Sequence, residues 1–345
     1  MKRDQVLDRL LPLWILLAMA AGLALGRVVP NLQAVLGAVT VGQTSVPIAL
    51  GLLMMLYPVL AKVRYGELGV VLRDRRLLTL ALALVWGLGP MLMFGLAWWF
   101  LPDQAALRTG LIMIGLAPCI AMVLIWIDLA QGDREAAAVL VAINSLLQVL
   151  LYALLGGFYL QILPGWLGLD SQLVTFSWGE IAKAVVIFLG IPLAAGFLTR
   201  RIGVRSKGIR WYEQTFLPKL SPWALYGLLF TVVVMFALQG KAITSDPLQV
   251  AVVAIPLVLY FLIMWGLAFL LGRFFGLGYA RTTTLAFTAA GNNFELAIAV
   301  SISVWGASSQ QALAGVIGPL IEVPILVGLV YVSLGLERWL FRSPH

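Results

Sequence analysis

From Leu10 onward, long apolar runs alternate with short polar breaks, and the runs recur at the length that spans a bilayer. A transmembrane helix needs roughly 20 mostly apolar residues, because the hydrocarbon core is about 30 Å thick and each helical residue rises about 1.5 Å. Ten runs qualify: residues 10–28, 44–62, 77–101, 108–130, 136–163, 179–199, 222–240, 248–272, 281–305 and 312–336. The pattern predicts an all-α membrane protein of ten spans with no separate soluble domain. The breaks are too short for a nucleotide-binding domain, and the phosphate loop G-x-x-x-x-G-K-S/T is absent, so any pumping is expected to draw on an ion gradient.

The spans repeat. Ala20-Ala21-Gly22 matches Ala194-Ala195-Gly196 at an offset of 174, and Pro47-Ile48-Ala49-Leu50 matches Pro222-Trp223-Ala224-Leu225 at 175. Met93 to Trp98 matches Met264 to Phe269 at 171, Arg108-Thr109 matches Arg281-Thr282 at 173, and Ile143 to Val149 matches Ile317 to Val323 at 174. One such match between apolar segments is weak; five in register point to a five-helix unit that occupies residues 1–170 and recurs in 171–345. A unit with an odd number of spans, copied once, enters the membrane from the opposite side, so the two repeats are expected to be inverted. Inverted-repeat transporters break matching helices near the midplane, where the freed backbone groups line a cavity rather than lipid. Span four carries Ala117-Pro118-Cys119 near its middle, and span nine carries Ala289-Ala290-Gly291-Asn292-Asn293 at the corresponding place. Proline removes a donor and clashes with the preceding turn, while Gly and Asn unwind readily, so helices 4 and 9 are expected to be discontinuous at a paired crossover.

Composition agrees: the chain is 62% hydrophobic and only 11% charged, with a mean hydropathy of +1.00. The net charge of +8 does not call for a nucleic-acid partner, because the basic residues sit between the apolar spans. With both termini in the cytoplasm, only Arg27, Arg108, Lys183 and Lys241 of the 23 Lys and Arg fall on the far side, the asymmetry of the positive-inside rule for an even number of spans in a cell inner membrane. Lys2, Arg3 and the apolar run from Leu10 resemble a signal peptide, but the run is long for one and has a partner in the second repeat, so it is read as a span. A lone cysteine, Cys119, excludes an internal disulfide, and a lone histidine, His345, excludes a histidine-built metal site.

Ionisable residues inside spans are costly and usually mark a pathway. Glu295 and Glu322 are the two deep ones. Asn292 lies three residues before Glu295, hence on one helical face, and Asn293 flanks the break, so amides are expected to surround the Glu295 carboxylate. Glu295 is read as a proton carrier or cation ligand, against a structural acid satisfied by those amides. Glu322 is read as a second proton-coupling group or as part of a local kink with Pro324. Cys119, with Met122 and Trp126 expected one and two turns on along the same helical face, is either a small hydrophobe or a soft ligand for a soft electrophile such as trivalent arsenic or antimony. Asn144 and Gln148 in span five either line the same cavity or bond between helices. Trp98 and Trp99 read as interface anchors, and no cofactor is called for.

Arg108 to Val123, including Gly115-Leu116-Ala117-Pro118-Cys119, resembles the arsenical-resistance arsenite permeases, as do Phe287 to Val300 and Gly318-Pro319-Leu320-Ile321-Glu322-Val323-Pro324. The resemblance runs the full length. It implies membership of the bile/arsenite/riboflavin transporter superfamily, a fold of ten helices with two crossed broken helices, and arsenite export coupled to proton entry. The family's essential cysteine falls on Cys119, its essential acid on Glu295 and its neighbouring asparagine on Asn293. Many members carry Arg immediately before the cysteine, where this chain has Pro118, and a polar residue often follows the tryptophan, where this chain has Ile127. The competing reading is a sodium-coupled organic-anion symporter of the same superfamily, with Asn292, Asn293 and Glu295 as cation ligands. An intramembrane enzyme would need a catalytic pair, and H-E-x-x-H is absent.

Overall fold

The computed structural model describes residues 10–29, 32, 35, 38–41, 44–63, 74–169 and 177–341. Lys2, Arg3, Arg9, Arg64, Arg73, Arg342 and His345, which the charge and terminus assignments use, lie outside the described residues. Beyond an antiparallel pair of two-residue strands, Thr40–Val41 with Thr44–Ser45, the regular structure described is helical. In order the helices are α1 (Leu11–Val28), α2 (Val46–Lys62), α3 (Arg75–Phe100), α4 (Ala105–Gly115), α5 (Val123–Leu129) and α6 (Arg134–Trp166). A helical path Trp178–Ser245 follows, kinked at Gly208, whose φ of 82° is outside helical space; α7 is its part 178–207 and α8 its part 209–245. The last four are α9 (Pro247–Phe274), α10 (Gly278–Ala290), α11 (Phe294–Trp305) and α12 (Gln310–Leu336).

Among the described residues, Arg75–Phe100, Arg134–Trp166, Trp178–Ser245, Pro247–Phe274 and Gln310–Phe341 are long and apolar enough to cross a membrane, and α1, α2, α4 and α11 are shorter apolar helices. Large apolar side chains such as Met91, Leu150, Ile191 and Leu270 are more than half bare, which water would penalise and lipid does not.

Proline sets the local shape of several spans. π turns at 83–88, 158–162, 186–190 and 212–216 each end two residues before a proline, namely Pro90, Pro164, Pro192 and Pro218. A proline ring offers no N–H and collides with the carbonyl four residues back. The backbone relieves this by widening: Gly89 N–H donates to Leu84 O and Ile191 N–H to Val186 O, five residues back in each case.

The helices pack as two groups. In one, α8 lies against α1 and α2, and α7 against α2. Gly22 and Gly26 let α1 approach α8 at backbone distance, since a Cβ at either would overlap the carbonyl oxygens of Val233 and Ala237. In the other, α3 packs on α4, α9 on α10 and α12, α11 on α12, and α6 on α5 and α10. The groups meet where α7 runs along α6 and α11 and where α8 touches α12. Tyr212 ties the first group internally, donating to Ala61 O at 3.0 Å.

Candidate functional site

Two gaps in the helices define the centre of the second group. α4 stops at Gly115 and α5 starts at Val123; α10 stops at Ala290 and α11 starts at Phe294. The unwound segments lie side by side and antiparallel, Pro118 opposite Asn292. Cys119 N–H donates to Gly291 O at 3.0 Å, and Asn293 N–H donates to Ala117 O at 2.7 Å. At the offset of 174, Cys119 corresponds to Asn293 and Ala117 to Gly291, so each hydrogen bond is the other's image and Pro118 faces its own counterpart. An unpaired backbone group in such an interior costs about 1–3 kcal/mol; here the two broken backbones satisfy each other.

Side chains complete the crossing. Gln148, fully buried, donates Nε2–H to Pro118 O at 2.8 Å and accepts from Asn293 Nδ2 at 3.2 Å. Asn292 Nδ2 donates to Ile114 O at 2.9 Å, a carbonyl near the end of α4. Asn293 Oδ1 caps α11 by accepting from Leu296 N–H at 3.1 Å. The same offset of 174 relates Gln148 to Glu322. Proline has a carbonyl but no N–H, so the residue that serves Pro118 must donate; Asn292 has an N–H, and the acceptor Glu322 interacts with it. Neither Glu322 oxygen reaches hydrogen-bonding geometry with any described group, although the residue is fully buried.

The ionisable groups gather here. Glu295, buried, sits in the first turn of α11, where the helix dipole favours an acid. Glu322 and Glu295 lie close enough to act on each other, and both act on the buried free thiol of Cys119. The backbone amides of Met122 and Val123 are directed at the same sulfur. Gly291 lets the unwound backbone pass close to both Cys119 and Glu322. Its φ of −74° and ψ of 136° suit any residue, but a Cβ there would sit 3.1 Å from Cys119 Cβ and 3.7 Å from Glu322 Oε1.

The structure thus brings Pro118, Cys119, Gln148, Asn292, Asn293, Glu295 and Glu322 together. Met122 and Trp126 are buried at the start of α5, where Trp126 N–H bonds Met122 O at 3.2 Å. Asn144 points elsewhere: its Oδ1 accepts from Trp86 Nε1 at 3.0 Å, beside α3. Two expectations of helical phase are corrected. Asn292 and Glu295 do not share a helical face, nor do Cys119 and Met122, because each pair straddles residues that are not helical. Trp98, expected as an interface anchor, carries the Arg108 guanidinium 3.6 Å over its ring. Tyr260 was not singled out in the sequence, yet its hydroxyl interacts with the Asn292 side chain; a tyrosine within an apolar span has no local pattern to mark it. A groove of about 470 Å³ on the outer face of α3, lined by Leu88, Met91, Leu92, Trp99 and neighbours, is apolar and remote from these groups.

Bare apolar flanks around paired helix breaks with buried acids define a multi-pass membrane protein of the transporter class. Residues 49–246 match the sodium bile acid symporter family. The arsenical-resistance protein Acr3 of Corynebacterium glutamicum is 57% identical over 341 residues, which is 99% of this chain and 92% of that one. An uncharacterized transporter of a Synechocystis species is 33% identical over 98% of this chain and 91% of its own length, and the Acr3 protein of Alkaliphilus metalliredigens is 30% identical over 96% and 93%. The chain therefore belongs to the sodium bile acid symporter family and, within it, to the arsenical-resistance arsenite efflux permeases.

Proposed function

We propose that this protein exports arsenite from the cytoplasm across the cell inner membrane in exchange for protons. The observation that carries the proposal is the crossing, which gathers the chain's one thiol and two buried carboxylates between two broken helices. Trivalent arsenic is thiophilic and exists near neutral pH as the uncharged hydroxide As(OH)3; one thiol holds it by a single bond and lets it go. Antimonite presents the same chemistry. Cys119 takes the cargo, with Pro118, Met122, Trp126, Asn292 and Asn293 around it, and Glu295 exchanges a proton for it, with Glu322 as a second protonatable group.

The reading extends to architecture: ten spans as two inverted five-helix repeats, residues 1–170 and 171–345, with both termini cytoplasmic. It is supported by packings that recur under the sequence offset, α1 on α8 with α7 on α2, and α3 on α4 with α9 on α10, as well as by the reciprocal hydrogen bonds of the crossing.

Everted vesicles from cells lacking their own exporter are expected to accumulate arsenite when their interior is made acidic relative to the medium, so that protons leave as arsenite enters, and not in response to sodium. Cys119→Ser is expected to abolish the uptake and Glu295→Gln to uncouple it from the gradient. Gradient-driven uptake by Glu295→Gln at the parental rate refutes the proton role, and sodium-driven uptake of an organic anion supports the competing symporter.

A further inference from the structure

We propose that Glu322 is the base that activates Cys119 for bond formation with the cargo, so that Cys119, Gly291 and Glu322 form a thiol-exchange site for a trivalent metalloid hydroxide. This rests on the arsenite reading above and deepens it. A thiol does not bind arsenic without losing its proton, and the groups acting on the Cys119 sulfur are two carboxylates and the amides of Met122 and Val123, with no cation among them to hold a thiolate. The proton needs an acceptor.

Glu322 fits that role better than Glu295. Its Oε1 and the Cβ of Cys119 both border the Cβ position that Gly291 lacks, at 3.7 and 3.1 Å. Its oxygens are fully buried and reach full hydrogen-bonding geometry with no described group, only the Asn292 amide lying toward them, whereas Gln148, Asn292 and Asn293 each make side-chain bonds across the crossing. Burying a carboxylate with so little hydrogen bonding is costly, and such a group persists where function uses it.

The step balances without an oxidant. Cys119 Sγ attacks the arsenic of As(OH)3 while its proton passes to Glu322; one As–O bond breaks, and the departing hydroxide takes that proton to leave as water. The arsenic stays trivalent, and release is the reverse reaction with one water.

Because Cys119 is the chain's single cysteine, labelling by a small maleimide reports on this thiol alone. The test measures how fast sodium arsenite protects Cys119 from labelling in proteoliposomes near neutral pH, in the parent, Glu322→Gln and Glu322→Asp. Glutamine occupies the corresponding buried position 148, so the first variant retains a residue that such a site accommodates. A bystander carboxylate opposes thiolate formation, so its removal would quicken both labelling and protection; loss of a base slows them, by roughly 100-fold. Slow protection in Glu322→Gln with a rate between the two in Glu322→Asp supports the proposal. Protection of Glu322→Gln at or above the parental rate overturns it and leaves the arsenite reading standing. A parent whose Cys119 arsenite never protects overturns the arsenite reading itself.

Discussion

Replacing Gln148 by leucine removes a side chain that bonds both broken segments. The variant leaves Pro118 O and Asn293 Nδ2 without the partners they have at 2.8 and 3.2 Å. Side-chain hydrogen bonds between membrane helices are worth on average about 0.6 kcal/mol and at most about 1.7, but those figures describe losses that water or a competing partner softens. Gln148 is fully buried, so the larger cost of an unsatisfied interior group, about 1–3 kcal/mol, governs. Two such groups, partly relieved by relaxation, give an expected loss of about 2–4 kcal/mol for Gln148→Leu. The assay is reversible unfolding in mixed micelles, followed by circular dichroism. A double-mutant cycle with Asn293→Ala isolates one bond and should return a coupling of roughly 0.6–1.7 kcal/mol. A Gln148→Leu protein within about 0.5 kcal/mol of the parent, the range of ordinary surface changes, would refute the idea that the two breaks depend on this residue.

Arg281 bonds Asp74 at 2.7 Å and Asp133 at 3.4 Å, the two acids that cap the starts of α3 and α6. Because the arginine is half-exposed, Arg281→Gln should cost under about 1 kcal/mol, a deficit that disappears when melting is repeated at high salt. Burial holds the Tyr212 hydroxyl up at about 12, against the pull of the nearby Arg200 guanidinium, while an unfolded tyrosine titrates near 10. The fold therefore favours the neutral phenol, and its contribution is complete below pH about 10 and lost as pH climbs toward 12. Alkaline unfolding curves of Tyr212→Phe should be flatter over that window, after an initial loss of about 1 kcal/mol for the bond to Ala61 O.

Much of this architecture is written in local pattern. Hydropathy alone places the apolar helices, because a bilayer demands unbroken apolar length, and Pro118 and Gly291 announce the breaks because each weakens a helix by its own covalent structure. The residues in the gaps were legible by type and place, but not by direction. Phase along a helix put Asn292 and Glu295 on one face, and phase has no meaning across 291–293, where the backbone leaves the helix. Contacts between distant segments were hidden for a related reason: nothing near Gln148 says that it reaches Pro118, and nothing near Asn144 says that it faces Trp86. Four of the described π turns were readable in principle, since a proline two residues on accounts for them.

The two unwound segments are stitched by reciprocal backbone bonds and by Gln148, so neither can slide past the other without baring donors and acceptors to an oily interior. Any movement of one therefore carries the other with it as a rigid unit. Flexing is left to the seam where α7 borders α6 and α11, and there the π turn at 186–190 has already loosened the ladder of the helix that would have to give.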